Sequence, residues 1–561
     1  MRISVLTIFM FAFLFQGIAQ DVAPKKYWIQ FTDKAGSPFS IDHPQDFLSL
    51  KAIERREKQG VDIKENDIPV NPSYVDQVSA LGARILNRSK WFNAITIELE
   101  DSTLLEQIQS LDFVQDTKRV ARVKSKTNAD DFMQDLMKMY EQYQAKVEIK
   151  ANPGADVLYG DGDAQIKMLQ GDKLHSMGFR GAGMTIAVLD AGFFKVNEFV
   201  FFDSLRNSGR LLGTRDFVHS GESVFDGNTH GLSVLSTMAA NYPGIFVGTA
   251  PEASYWLIRT EDADTEFIIE EDNWVRGAEF ADSVGADIIN SSLGYTNFDD
   301  PETSHTYSQL DGNTTRITIG ADVAASKGIL VVNSAGNSGA DSWKFIGAPA
   351  DADSVLTIGA VDSEGAYASF SSRGPSFDGR VKPNVTAMGQ MTLVVNSSGN
   401  VGRSNGTSFS SPVIAGMVAC LWQAHPNATM MQVFKAIEKS ASQAENPDAY
   451  LGFGIPNFVR AHSILSRIQD VQAKSDSIVN VYPNPFTDGV NIEFFSEKEQ
   501  QITVNIFKSN GRKLTSEEFT VFPFVNTLLK LEDIKRLKAG NYVVSVQTST
   551  GTYSRQIIKQ E

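Results

Sequence analysis

Five short runs, 185–189, 254–258, 286–290, 329–333 and 355–359, are rich in β-branched residues and almost continuously apolar. A run of this length without alternation reads as a strand covered on both faces. Stretches of helical length and pattern accompany them, at 231–240, 267–284, 317–327 and 412–424. The alternation demands an α/β architecture, a mostly parallel sheet flanked by helices. Sites on such sheets form at the carboxyl ends of the strands. Asp190 ends the first run and Asn337 lies just beyond the fourth, so the pattern places them on one rim.

Three segments carry chemistry. Ser408 sits in Gly406-Thr407-Ser408-Phe409-Ser410-Ser411-Pro412, at the mouth of an apolar helix. His230 lies in Asn228-Thr229-His230-Gly231, and Asp190 closes its strand. A serine hydroxyl is a weak nucleophile until a base removes its proton and a third group orients that base. Each residue alone has a plainer reading: Ser408 as a helix N-cap, His230 as a satisfied core histidine, Asp190 as a turn residue. Joined in one chain in the order Asp, His, Ser, they resemble the subtilisin-like serine peptidases, over about 151–470. The resemblance implies Asp190, His230 and Ser408 as the catalytic triad. It gives Asn337, within Asn333-Ser334-Ala335-Gly336-Asn337-Ser338-Gly339, the oxyanion-donor role. It also makes Ser292, Leu293 and Gly294 an edge that pairs with substrate backbone, with Ser334, Ala335 and Gly336 flanking the pocket. No metal ligand is assigned; the chemistry requires no cofactor, and structural calcium remains open.

The chain departs from the family pattern in places. Where the family has His-Gly-Thr-His-Val-Ala-Gly, this chain reads His230-Gly231-Leu232-Ser233-Val234-Leu235-Ser236, and altered helix packing with retained activity is expected. Tyr295 replaces a common glycine and is expected to crowd a substrate subsite. Asn384 replaces a frequent Asp in Lys382-Pro383-Asn384, read as structural, like Ser371-Ser372-Arg373-Gly374-Pro375. No acidic residue occurs from 333 to 340, which argues for apolar or broad preference at the cleavage site, since an unpaired cation is costly to bury.

The remaining segments frame this core. Residues 1–19 read as a signal peptide, with Arg2, an apolar centre and a Gly17-Ile18-Ala19 cleavage site. Residues 20–150 mix strand-like and amphipathic stretches and resemble, more weakly, an α+β subtilase propeptide that assists folding and blocks the cleft. Phe132, Leu136, Met139 and Tyr143 suggest a helix within 129–150, and Tyr159-Gly160-Asp161-Gly162-Asp163 an exposed, cleavable loop. Residues 474–561 alternate as a small antiparallel β-sandwich. Their Tyr482-Pro483-Asn484-Pro485 opening resembles the C-terminal sorting domain of Bacteroidetes type IX secretion cargo, a carbohydrate-binding or adhesive module being the alternative. The single cysteine, Cys420, excludes an internal disulfide and is expected in the core. The net charge of −16 argues against nucleic acid as partner, and no segment after the signal suits a transmembrane helix. The expected function is a secreted or surface-attached serine endopeptidase made as a zymogen, whose partners are protein or peptide substrates, its own propeptide and the type IX machinery. The alternative is a catalytically inactive binding protein on the same fold.

Overall fold

The computed structural model describes residues 25–121, 145–146, 158–219, 221–469, 477–496, 500–521, 526–531 and 534–560. The signal at 1–19 and most of the helix expected within 129–150 fall outside them. Within that stretch, Ala145–Lys146 form a short strand paired with Gly402 and Arg403, so these two residues are not helical.

The N-terminal segment is an antiparallel sheet of β1 (Lys25–Phe31), β2 (Arg84–Ser89), β3 (Ala94–Leu99) and β4 (Val114–Ala121), in the order β2-β3-β1-β4. Helices α1 (Leu50–Gln59) and α2 (Pro72–Ala80) join β1 to β2. Successive strand residues face opposite ways, and β1 uses both faces. Tyr27, Ile29 and Phe31 enter the segment's own core, while Trp28 packs with Phe267 and Ile269 of the next part.

The central part holds a seven-stranded parallel sheet: β5 (Thr185–Asp190), β6 (Leu211–Asp216), β7 (Ser254–Arg259), β8 (Ile288–Ser291), β9 (Leu330–Ser334), β10 (Leu356–Val361) and β11 (Val385–Met388), in the order β11-β10-β9-β8-β5-β7-β6. Along β5, Ile186 and Val188 join the core beneath helices α3 (His230–Ala239) and α6 (Thr407–Ala424), while Ala187 and Leu189 join that of α4 (Ile269–Ser283) and α5 (Arg316–Ser326). Each buried Ile, Val or Leu contributes roughly 1.5–3 kcal/mol by leaving water, so a large two-sided core replaces disulfides. Cys420 belongs to it, fully buried with Sγ toward the Thr249 carbonyl, and burial raises its thiol pKa far above the ordinary value.

The stretch at 159–163 is not an exposed loop. Tyr159 is buried and its hydroxyl bonds His175 Nδ1 at 2.8 Å, and a Cβ on Gly160 would lie 2.3 Å from the Ile245 carbonyl oxygen.

The N-terminal segment seats on α4 through buried charge. Arg55, Arg56 and Lys90 all reach the Asp282 carboxylate, at 2.6, 2.8 and 2.8 Å. Glu279 accepts from Ser89 Oγ and from the backbone N–H groups of Lys90 and Trp91. At the far end, a three-stranded and a four-stranded antiparallel sheet enclose a separate core including Phe486, Ile492, Val504 and Val544.

Candidate active site

β5 ends at Asp190, whose backbone pairs with Arg259 of β7, so the carboxylate stands on the carboxyl rim of the sheet. His230 is the first residue of α3 and its N–H is capped by Asn228 Oδ1 at 2.8 Å. What lets α3 meet β5 so closely is Gly231. A Cβ there would lie 2.2 Å from the Gly192 carbonyl oxygen and 3.0 Å from Asp190 Cβ, so any side chain would push the helix off the strand. The outcome is a buried bond between His230 Nδ1 and Asp190 Oδ1 at 2.8 Å, with the Ala191 N–H also on Oδ1. A carboxylate on Nδ1 fixes that nitrogen as the proton carrier and leaves Nε2 as an acceptor. Nε2 is buried and has no hydrogen-bond partner in the structure.

Ser408 is the second residue of α6, and the helix cap is Gly406, so the N-cap reading of Ser408 does not hold. Gly406 sits at φ 152°, a region that favours glycine, while a Cβ there would meet nothing closer than 3.5 Å. Conformation, and not the close approach a small residue allows, therefore fixes its identity. Pro412 lies inside α6, although its type suggests a helix start. Lacking an N–H, it leaves the Ser408 carbonyl without its helical donor. The Ser292 hydroxyl fills that role at 2.9 Å, and Ser408 Oγ donates back to the Ser292 carbonyl at 3.3 Å. The Ser408 hydroxyl is thus parked on the 292–294 edge and not on His230. Hydrogen bonds of catalytic groups often form only once substrate is bound.

Asn337 lies three residues beyond β9. Its Oδ1 accepts from the Thr407 N–H at 2.9 Å and from Thr407 Oγ1 at 3.0 Å, while its buried Nδ2 has no acceptor. Thr407 is the residue the sequence reading passed over. It stands inside the Gly-Thr-Ser motif, and its paired donors determine which end of the Asn337 amide faces outward. Ser372 braces the same loop, its Oγ accepting from the Ser338 N–H and its own N–H donating to the Gly336 carbonyl. Ser334, Ala335 and Gly336 continue from the end of β9, beside Ser292, Leu293 and Gly294 beyond β8, and β8 and β9 are paired neighbours. The structure thus gathers all the sequence-derived site segments on one rim.

The departures find physical accounts. Ser233 Oγ donates to the Val395 carbonyl and Ser236 Oγ accepts from the Val395 N–H, so the two serines pin α3 to a neighbouring strand. Tyr295 does not project into a subsite. It is buried, stacked on Phe298, and its hydroxyl donates to Glu261. Asn384 takes the Thr357 N–H and the Lys382 ammonium on Oδ1 and donates to Glu438, which an aspartate could not do.

Comparison with known proteins supports the fold. Residues 181–454 match the Subtilase family model, residues 26–134 a Peptidase S8 propeptide domain of Bacteroidota, and residues 480–560 a Secretion system C-terminal sorting domain. Subtilisin E of Bacillus subtilis (strain 168) is 33% identical over 296 residues, covering 52% of this chain and 69% of that protein. The subtilisin of Bacillus pumilus is 32% identical over 296 residues, covering 52% of this chain and 95% of its own length. Subtilisin DY of Bacillus licheniformis shows 33% identity over 299 residues, with 52% and 95% coverage. The sorting-domain match implies secretion, and no helix among the described residues is long and apolar enough to cross a membrane. A parallel sheet carrying this rim, joined to relatives of this similarity, settles the family: the chain belongs to the subtilases and is a serine endopeptidase with a propeptide domain before its catalytic part and a type IX sorting domain after it.

Proposed function

We propose that Asp190, His230 and Ser408 act as the triad of a secreted endopeptidase made as a zymogen. The observation that carries this reading is the buried Asp190–His230 bond, which leaves Nε2 unpartnered next to the helix mouth that presents Ser408. The reaction requires Ser408 Oγ to leave the Ser292 carbonyl and meet Nε2. Oγ then attacks the peptide carbonyl carbon while Nε2 takes its proton. The carbonyl oxygen becomes an oxyanion, received by Asn337 Nδ2 and the Ser408 N–H. Collapse of the tetrahedral intermediate breaks the C–N bond, and His230 returns the proton to the departing amine. A water then repeats the sequence on the acyl-enzyme, with His230 again as base. Asp190 orients the ring and stabilises the imidazolium.

Ser292, Leu293 and Gly294 would pair with substrate backbone, with Ser334, Ala335 and Gly336 opposite. Residues 20–150 would serve as the propeptide, 151–470 as the catalytic domain and 474–561 as the export label after a signal at 1–19. The mature enzyme would lie outside the cell or on its outer surface and act on proteins or peptides. The test is labelling with a serine-directed fluorophosphonate. Mature protein should react at Ser408, and Ser408→Ala should fold, fail to label and fail to cleave peptides. Retained hydrolysis by Ser408→Ala would refute the assignment.

A further inference from the structure

Beside the catalytic rim, three buried glutamates converge. Glu261 lies two residues past the end of β7, Glu266 in the following loop, and Glu270 in the first turn of α4. They are 1%, 2% and 0% exposed. One carboxylate oxygen from each lies within 4.8 Å of the others. Oxygens on opposite sides of a calcium ion, each roughly 2.3–2.6 Å from it, stand about 4.6–5.2 Å apart, so the spacing suits a shared ion.

Acidic residues alone would say little, but Glu270 adds a separate observation. Both of its side-chain oxygens are buried, no backbone, hydroxyl, amide or cationic donor reaches either, and the one neighbour at hydrogen-bonding range is another carboxyl. The group it faces is the Glu261 carboxylate, and Glu266 and Asp262 add further negative charge. An ionised carboxylate sealed from water needs a partner or a metal. Three carboxylates offer a hard, all-oxygen set of high charge, which selects a divalent cation. Calcium tolerates a protein-built cage of irregular geometry, whereas magnesium keeps several waters. A cavity of about 880 Å³ between the N-terminal segment and the start of α4 is lined by Asp262 and Glu270, among others, and gives an ion a way in.

We propose that Glu261, Glu266 and Glu270 bind a calcium ion that fastens the wall of the substrate cleft. Glu261 also accepts the Tyr295 hydroxyl, and Tyr295 directly follows the 292–294 edge. The ion therefore ties the 261–270 stretch to that edge, a structural role distinct from the triad chemistry.

The test uses the full chain carrying Ser408→Ala, which prevents self-digestion. The protein is stripped with EDTA, dialysed, and titrated with calcium chloride by calorimetry, with bound metal counted by mass spectrometry. The expected result is a parent that binds calcium and unfolds several degrees higher with it. Glu270→Gln should then bind one calcium fewer per chain and lose that part of the shift. Glu266→Gln should do the same, and it replaces Glu270→Gln should the latter fail to fold. Equal calcium counts in parent and variants would overturn the proposal. So would a parent that binds no calcium, which would make the cluster a set of carboxyls sharing protons.

Discussion

Asp282→Asn is the sharpest probe of how the N-terminal segment restrains the enzyme. In the complex Asp282 is fully buried and accepts from Arg55, Arg56 and Lys90. Without its charge, Arg56 keeps Asp67, Arg55 keeps the Ala286 and Lys327 carbonyls, and Lys90 keeps Ser283 Oγ. Two of the three cations then lie buried with neutral partners only. Removing one member of a buried ion pair costs about 3–5 kcal/mol, and asparagine retains an acceptor, so about 3 kcal/mol is the figure to test. At 1.4 kcal/mol per decade this is roughly a 10²-fold weaker complex. Lys51→Ala is the control: Lys51 is 39% exposed in its pair with Asp287, and such pairs are worth about 0–1 kcal/mol. The assay is inhibition of mature enzyme by added N-terminal segment, with Asp282→Asn carried by the enzyme, Lys51→Ala by the segment, and kcat/KM on a small peptide unchanged by Asp282→Asn. A shift below tenfold for Asp282→Asn, or equal shifts for the two variants, would refute the reasoning. The pH dependence follows the same ions. Burial alone would raise the Asp282 carboxyl, but Lys90, Arg56 and Arg55 outweigh it and hold the group well below its ordinary 3.8. A depressed carboxyl contributes fully above its unfolded pKa and is lost as pH falls through the folded one. Mild acid, near pH 5, should therefore leave this anchor intact.

Asn337→Ala should lower kcat by about 10²–10³ with KM little changed, the range seen when subtilisin loses its oxyanion asparagine; steady-state kinetics with a peptide substrate would show it. Burial pushes the Lys382 ammonium down to about 7 from 10.5. The unfolded chain then binds that proton more tightly, and stability rises with pH between those values by up to roughly 5 kcal/mol. Lys382→Met should flatten this rise in denaturation midpoints measured from pH 6 to 9, and an unchanged slope would exclude Lys382 as its source. Because β4 belongs to the N-terminal sheet and Tyr159 to the catalytic core, the mature N-terminus should fall between 122 and 158. Mass spectrometry of secreted enzyme checks this, and an N-terminus after Tyr159 would contradict the burial argument.

The five apolar runs announced their strands because both faces of each are covered. Of the sheet's outer strands, β6 was illegible for the converse reason, and β11, though buried, for its shortness. β6 reads Leu-Leu-Gly-Thr-Arg-Asp at a half-exposed edge, and β11 has only four residues. The triad and Asn337 were legible as a motif set, because the chemistry needs particular residue types in a particular chain order. What the motif could not convey was how they are held. The contribution of Thr407 depends on a loop seventy residues away in sequence, and α6 begins ahead of Pro412 because Ser292 supplies the hydrogen bond the proline cannot. Tyr159 misled because Gly and Asp around it signal a turn, and turn signals do not say whether the turn is covered. Tyr295 misled for a related reason: an aromatic at an edge looks obstructive until an acceptor such as Glu261 is seen behind it.

Helix α4 joins these threads. Its first turn presents Glu270 to the glutamate cluster, and its last turns present Glu279 and Asp282 to the N-terminal segment. One helix therefore carries both the glutamate cluster and the seat of the propeptide domain. Buried ion pairs add little net stability compared with apolar packing, yet they penalise any misfitted docking heavily. That suits a segment which must register accurately on α4 and later leave. Were the segment released, Arg55, Arg56, Lys90 and Asp282 would regain water, while Phe267 and Ile269 would lose the cover of Trp28. An apolar seat of the same area would hold the segment more tightly and leave the mature enzyme with an aggregation-prone face. The seat is therefore mixed: charge on the last turns of α4 sets the register, and the apolar patch at its first turn, under Trp28, adds holding strength.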